Sequence, residues 1–480
     1  MADTVRAWAQ HEFGAADLGD ARRKRRLLEM AESAARRPGG RVSAVFTRSK
    51  DREGAYDFLE SPHAPQAAFA ESMFKCTAER TRGEKVVYVP IDLTTLSLTD
   101  IDGEKFGPVG SPNRAVRGLM VANAMAVTTH GVPMGLIDQQ YWMRDETDAM
   151  TKKARTERNH DRPFEDKQGS RFTSAAENAV RRLGAVGVVP WVIIDREGDN
   201  RDIIFRLANM ACAFTVRASW NRSVGKYRSQ WKLRDELEAQ PSLCSAQVEL
   251  PRNGARRART AVLEVRSVRA NVRFDRDDDR ASLELFAVLV REKGRRRDAK
   301  APLDWLLYTN LPVADAEGAL KILAAYRARW RIEEFHRTWK SGACNVETTQ
   351  LRSFEAVAKW ATILSAVSTR IERLKYLARN DPTLPATTEL EPIEVEALLA
   401  ERRSRVDRRV RLPKVPTIGD ATNWIAEMGG WMGQKTSGPP GSTTIARGLQ
   451  VLAVYTRALV DLRRGDARFH PRGVKEESIG

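Results

Sequence analysis

The stretch Tyr326–Lys340, reading Tyr-Arg-Ala-Arg-Trp-Arg-Ile-Glu-Glu-Phe-His-Arg-Thr-Trp-Lys, sets a phenol, two cations and a carboxylate in a pattern that chemistry can use. On one continuous helix turning about 100° per residue, Tyr326, Arg329, Glu333 and Lys340 fall within about 60° of one another. Ala328, Ile332, Phe335 and Trp339 fall on another side and read as the face that packs on a core. Glu334 lies off the stripe, and His336 falls between the two faces and reads as structural. The cations suit phosphate; the carboxylate suits a metal ion. Charged residues at this spacing also form ordinary solvated, ion-paired faces, so the stretch needs support from elsewhere.

Two other stretches give it. Val86-Val-Tyr-Val-Pro-Ile-Asp92 is an apolar β-type run ending in a carboxylate, followed by the hydroxyl-rich Leu-Thr-Thr-Leu-Ser. Val188-Val-Pro-Trp-Val-Ile-Ile-Asp195 repeats the theme, with Arg196, Glu197 and Asp199 close behind. An Asp at the end of a buried strand is expensive unless it is hydrogen-bonded or bound to a cation. One such Asp also reads as a turn or helix cap; two are much harder to assign to chance. Asp92, Asp195 and Glu333 therefore form a candidate trio for Mg²⁺ or Mn²⁺, which take oxygen ligands. Such a trio can hold two ions and serve phosphoryl transfer, with Arg329 and Lys340, and Tyr326 beside them on the stripe, at flanking phosphates. Arg196, Glu197 and Asp199 read as the groups that orient Asp195.

Composition narrows the partner. The 480 residues carry a formal net charge of +17, which points to a polyanion, most simply nucleic acid. The four cysteines, Cys76, Cys212, Cys244 and Cys344, form no C-x-x-C pair and read as reduced residues rather than a zinc site or disulfide frame. No apolar run reaches the length of a membrane span, and Met1-Ala-Asp-Thr-Val-Arg-Ala-Trp is no signal region. A cytoplasmic protein is the expectation.

The elements that must position these residues follow in order. Residues 1–70 read as a small helical DNA-reading module. Asp20 caps a helix whose first turns hold Arg22, Arg23, Lys24, Arg25 and Arg26. Cations there oppose the helix dipole, so DNA contact explains Arg22, Arg23 and Arg26 better than stability does. Residues 71–378 read as an α/β catalytic domain with a mixed sheet. Strands are expected at 86–91, 115–127, 132–142, 188–194 and 214–217, and again around Trp305. From about 221 to 302 alternating apolar residues and Arg-rich turns read as an antiparallel β insertion. Residues 379–480 read as a helical C-terminal domain with helices at 389–401, 417–429 and 443–462 and a frayed end.

These residues carry a resemblance. The chain resembles bacterial insertion-sequence transposases of the DDE class, in the group with the Y-(2)-R-(3)-E-(6)-K signature, complete here as Tyr326, Arg329, Glu333 and Lys340. Ile91-Asp92-Leu-Thr-Thr-Leu-Ser and Ile194-Asp195-Arg-Glu-Gly-Asp199 match the contexts of the two Asp residues, and Leu303-Asp-Trp305-Leu-Leu also fits. So do Leu18-Gly-Asp-Ala-Arg-Arg, Glu53-Gly-Ala-Tyr56 and Gly429-Gly-Trp431. The resemblance covers nearly the whole chain. It implies an RNase H-like core interrupted by a β insertion, with helical domains at both ends. It implies cut-and-paste transposition: nicking, a hairpin at the transposon end, hairpin opening and strand transfer. It implies terminal inverted repeats and target DNA as partners, a synaptic homodimer, and a base stacked on Trp305 near the cleaved end. Two other readings compete: another RNase H-like endonuclease, and a non-catalytic DNA-binding regulator. The complete carboxylate trio weighs against the regulator, since a binding module gains nothing from three negative charges beside DNA.

Overall fold

The computed structural model describes residues 4–110, 116–144, 162–225, 231–250, 259–276, 279–294, 302–407, 409–434 and 438–463. The Arg-rich turn expected at 252–258, most of the charged stretch 144–171 and the chain end expected to fray lie outside the described residues. Packing divides the chain into two compact units, Met73–His336 and Met1–Ser72 with Arg337–Gly480.

The first unit is built on one mixed sheet. Its strands are β1 (Val86–Leu98), β2 (Gly107–Pro108), β3 (Arg117–Val127), β4 (Pro133–Trp142), β5 (Val189–Ile194), β6 (Ala213–Arg217), β7 (Cys244–Leu250), β8 (Arg259–Arg273), β9 (Ser282–Glu292) and β10 (Asp304–Thr309). Their order is β2-β3-β1-β5-β6-β10-β9-β8-β7, with β4 also paired to β3. β1, β3 and β4 form an antiparallel meander, and β5 and β6 continue the sheet in parallel with β1. That is an RNase H-like arrangement. The turn from β3 to β4 is closed by Gly131, whose φ of 85° is the left-handed region that glycine enters without a Cβ penalty.

The central strands are near-continuous apolar runs because both faces are covered. Val87, Val89, Ile91, Val192 and Ile194 bury their side chains with Ala175, Ala179 and Leu183 of the helix Ser170–Gly184 and Ile203, Ile204 and Leu207 of the helix Arg201–Ala208. The β insertion is not a separate sheet. β9 pairs along the whole of β10 from Asp304↔Arg291 to Thr309↔Phe286, so the insertion extends the core sheet. It also holds a short helix, Leu233–Ala239, that alternation alone did not suggest.

Two expectations are corrected here. Asp92 does not end its strand. Pairing with β5 stops at Ile91↔Ile194, but β3 keeps pairing β1 out to Leu98↔Arg117, and that ladder carries the strand on. The signature stretch is not one continuous helix either. It comprises the end of the helix Ala316–Ala328 and the helix Trp330–Lys340. At the joint the Arg329 N–H donates to Tyr326 O and the Ile332 N–H to Arg329 O, both at 3.2 Å and three residues back, a locally tightened turn. The packing face stands as expected: Ala328, Ile332, Phe335 and Trp339 are all buried.

The second unit is helical. The helices Ala21–Arg36, Ser49–Glu60, Phe354–Asn380, Pro392–Arg405, Ile418–Met428 and Ser442–Arg463 share one core. Thus Phe354–Asn380, expected to close the catalytic domain, packs among the helices of both chain ends. Trp360 donates from Nε1 to Gly40 O at 2.8 Å, and the buried Lys359 donates from Nζ to Leu59 O and Ser61 O at 2.8 and 2.7 Å. Arg370 meets Glu394 in a buried two-pronged pair at 3.0 and 2.9 Å. Among the described residues no helix is long and apolar enough to cross a membrane.

Candidate active site

The sheet register brings the two Asp residues together. β1 and β5 run parallel and in step from Val86↔Val189 to Ile91↔Ile194. Asp92 and Asp195 each follow directly after the last matched pair, so they sit side by side where the two strands part. Ligand sites of open α/β sheets form at such carboxyl ends.

Asp195 is held from four directions. It caps a one-turn helix, Arg196–Gly198, and its Oδ1 accepts from the Arg196 backbone N–H at 2.8 Å. The Tyr326 hydroxyl donates to the same oxygen at 3.1 Å, and Arg217 Nη1 lies 3.5 Å from it. Arg329 Nη2 lies 3.3 Å from Oδ2. Gly198 makes the turn possible: a Cβ there would meet Ile194 Cγ2 at 2.6 Å and Val216 Cγ1 at 3.2 Å.

Arg329 also reaches Glu333, with Nη2 2.7 Å from Oε1. One guanidinium therefore joins a carboxylate of the sheet to a carboxylate of the helix. Its side chain is buried, and its Nε has no hydrogen-bond partner among the described residues. Tyr326 packs edge-on against Trp305, with ring centroids 5.1 Å apart.

The electrostatics record the crowding. Burial pushes the Asp195 carboxyl up, but Arg329, the Arg196 N–H, Arg217 and Tyr326 outweigh it and hold the group below the usual carboxylate range. Glu333 goes the other way: burial raises it, Arg329 opposes, and the charges of Asp92 and Asp195 add to the rise. Glu197 is likewise pushed up by burial around its carboxyl and by Asp92 and Asp195. Burial and Asp195 push the Tyr326 phenol up to about 12. Four carboxylates thus share one field, and Glu333 and Glu197 each feel Asp92 and Asp195 as repulsion. This donor set, all oxygen and all anionic, fits a hard divalent cation. Among the described residues no three His, Cys, Asp or Glu side chains converge on an ion position as they stand; Arg329 supplies positive charge between two of them.

The remaining expected residues are placed as follows. Glu197 faces the carboxylates, whereas the hydrogen bonds of the buried Asp199 run to the Ser219 and Trp220 N–H groups and to Arg222, with none to Asp195. Asp199 anchors the chain after β6, and its backbone N–H closes the one-turn helix that Asp195 caps by donating to Arg196 O at 3.1 Å. Tyr326 and Arg329, expected at phosphates, have their polar ends on the carboxylates. Trp305 is partly exposed beside Tyr326. Lys340 belongs to the helical unit, where its Nζ lies 3.6 Å from Glu347 Oε1. In that unit Asp20 caps the helix Ala21–Arg36 by accepting from the Arg22 N–H at 2.6 Å. The Arg22 side chain is exposed, Arg23 donates from Nη1 to Leu18 O at 3.0 Å, and Arg26 pairs with Glu29 at 3.5 Å.

Sequence reasoning missed two contributors. Arg217, at the end of β6, lies against Asp195. His336 was read as structural, yet its Nδ1 stands 3.4 Å from Asp92 Oδ2. Its position one turn after Glu333 on the same helix was the available signal.

Known families match the chain in three segments. A transposase DNA-binding model matches residues 5–64, a transposase DDE domain model matches residues 171–369, and a transposase Tn5 dimerisation domain model matches residues 366–464. Asp195, Trp305 and Glu333 fall inside the second match; Asp92 precedes it and joins the site through the β1–β5 register. With these three matches in this order along one chain, it belongs to the DDE-class transposases of insertion sequences, DNA-binding and dimer-forming enzymes of a family that uses divalent metal.

Proposed function

We propose that the chain performs cut-and-paste transposition by divalent-metal phosphoryl transfer, with Asp92, Asp195 and Glu333 as the carboxylates that hold two Mg²⁺ or Mn²⁺ ions. The observation that supports this reading is that the three carboxylates lie close enough for Glu333 to feel the charges of Asp92 and Asp195. The parallel register sets Asp92 beside Asp195, and Arg329 ties Asp195 to Glu333. Bound at these carboxylates, divalent ions would supply charge neutralisation and an activated oxygen nucleophile for attack on a DNA phosphodiester.

The chain's own residues do the rest. Arg329, the Arg196 N–H, Arg217 and Tyr326 fix Asp195 in position and together outweigh its burial to keep it ionised. Arg329 neutralises Asp195 and Glu333 in the free protein, and the same guanidinium suits a phosphate oxygen once DNA is present. Trp305 offers a partly exposed aromatic face beside Tyr326 for a flipped base, which fits passage through a hairpin at the transposon end. Lys340 and the exposed Arg22, with Arg23 and Arg26 on the same helix, take DNA phosphates. In this reading residues 1–70 bind the terminal inverted repeats, 71–378 perform the chemistry and 379–480 hold the synaptic dimer. The site then works in the bacterial cytoplasm, on nucleoid DNA.

The test is cleavage of inverted-repeat DNA with Mg²⁺ by the wild type, Asp195→Ala and Glu333→Gln. End binding by all three, with cleavage and joining by the wild type alone, is the expected result. Equal cleavage by Glu333→Gln would remove Glu333 from the site, and binding without cleavage by the wild type would favour a regulator.

A further inference from the structure

Asp92 is the one member of the trio that Arg329 does not touch, and it has a support of its own. His336 Nδ1 lies 3.4 Å from Asp92 Oδ2. The other ring nitrogen, Nε2, is 3.0 Å from Asn123 Nδ2, and Asn123 Oδ1 accepts from Gln139 Nε2 at 2.8 Å. The three residues are all buried. They come from three elements: Asn123 from β3, directly opposite Asp92 in the ladder; Gln139 from β4, directly opposite Asn123; and His336 from the helix that carries Glu333.

Such a chain of amides has two self-consistent directions. In one, Gln139 donates to Asn123, Asn123 donates to Nε2, and the imidazole keeps its proton on Nδ1, facing Asp92. In the other, every bond reverses and the Nδ1 lone pair faces the carboxylate. The negative charge of Asp92 selects the first, since a lone pair set against a carboxylate is repelled. The Nδ1–H of His336 thereby faces Asp92 Oδ2, 3.4 Å away.

We propose that His336 is a positioning residue for Asp92, held in the Nδ1–H form by Asn123 and Gln139 and fixing the carboxylate for cation binding. The proposal rests on the reading of Asp92 as a metal ligand. It takes the same logic as the carboxylate and carbonyl partners that orient metal-binding side chains, whose removal typically costs about 10- to 100-fold in metal affinity. It makes the Glu333 helix a carrier of two devices one turn apart: Glu333 itself, and the support for the carboxylate on β1.

The experiment compares the wild type with His336→Ala, His336→Asn and His336→Gln. An Asn amide reaches about as far as Nδ1, and a Gln amide about as far as Nε2, so only Asn keeps a donor for Asp92. Two quantities are read: Mn²⁺ affinity of the DNA-free protein by electron paramagnetic resonance, and the Mg²⁺ concentration for half-maximal cleavage of inverted-repeat DNA. His336→Ala and His336→Gln are expected to weaken Mn²⁺ binding and raise the Mg²⁺ requirement about tenfold, with the loss made good in part by more metal; His336→Asn is expected to lie near the wild type. Should His336→Ala fail to fold, the Asn and Gln variants carry the test. Equal metal requirements for those two, or wild-type Mn²⁺ affinity in His336→Gln, would overturn the proposal. Absence of metal-dependent cleavage by the wild type would instead overturn the functional reading, while the Mn²⁺ comparison would still judge His336.

Discussion

Tyr326 donates its phenolic hydroxyl to Asp195 Oδ1 at 3.1 Å, although the two residues are 131 positions apart. The bond ties the end of the helix Ala316–Ala328 to the end of β5. Removing it with Tyr326→Phe leaves the ring, and so its packing on Trp305, in place. The expected cost is about 1 kcal/mol, or roughly fivefold in end-cleavage rate. The pH dependence follows from the phenol, pushed up to about 12. It stays protonated, and stays a donor, at every pH below that value; the contribution is lost only as pH rises through it. The ratio of wild-type to Tyr326→Phe cleavage should therefore be flat between about pH 6 and 9. A ratio that falls steadily across that range would show that the hydroxyl ionises and is no fixed donor.

Arg329 stands within ion-pair distance of both Asp195 and Glu333 and is almost fully buried. Arg329→Ala leaves two neighbouring carboxylates without their shared cation. Breaking a buried pair from one side costs about 3–5 kcal/mol; the carboxylates here are partly exposed, which brings the expectation down to roughly 2 kcal/mol. A divalent cation should replace the lost charge. Thermal melts with and without Mn²⁺ are expected to show a larger upward shift for Arg329→Ala than for the wild type. Equal shifts would mean that the ion binds away from these carboxylates.

Gly198 sits directly behind Asp195, with Ile194 and Val216 against the place a Cβ would take. Gly198→Ala should overpack that contact, at a cost of about 1–3 kcal/mol, and displace the turn that Asp195 caps. A melt lowered by several degrees together with impaired cleavage is the expected pairing. Full cleavage at a lowered melting temperature would separate the turn from the chemistry.

The helix Ser442–Arg463 lies inside the segment matched by the dimerisation model and exposes Val451, Val454, Tyr455 and Leu462. Their spacing puts them on one side of the helix, a stripe suited to a second copy. Val454→Asp with Leu462→Asp should weaken self-association of DNA-bound protein by at least tenfold in sedimentation while leaving the monomer's melt unchanged. Unaltered association would place the contact on another surface.

Much of the site was legible because strand chemistry is local. Val86–Ile91 and Val188–Ile194 announce buried strands, and a carboxylate following each stands out against them. What the runs could not say is that the two strands lie side by side in step, since register depends on partners far along the chain. The break at Arg329 was hidden for a related reason: residues 326–340 all accept helical geometry, and the tightened turn lies where a guanidinium is gripped by Asp195 and Glu333. His336 was unreadable because the residues that define its role, Asn123 and Gln139, come from two other strands. The β insertion was visible as alternation, but nothing in alternation says whether new strands found a sheet or extend one.

The helical unit is assembled from the two ends of the chain, Met1–Ser72 and Arg337–Gly480, with all of Met73–His336 written between them. On the ribosome this fixes an order of events. At about 5–20 residues per second, the N-terminal segment waits on the order of tens of seconds before its packing partners exist. During that interval Leu27, Met30, Phe58 and Phe69, all buried in the finished protein, have no finished core to enter. The nascent chain therefore carries a DNA-binding segment that acquires its support only after Met73–His336 has been made, and any factor that shields apolar helices on emerging chains would act on this segment first.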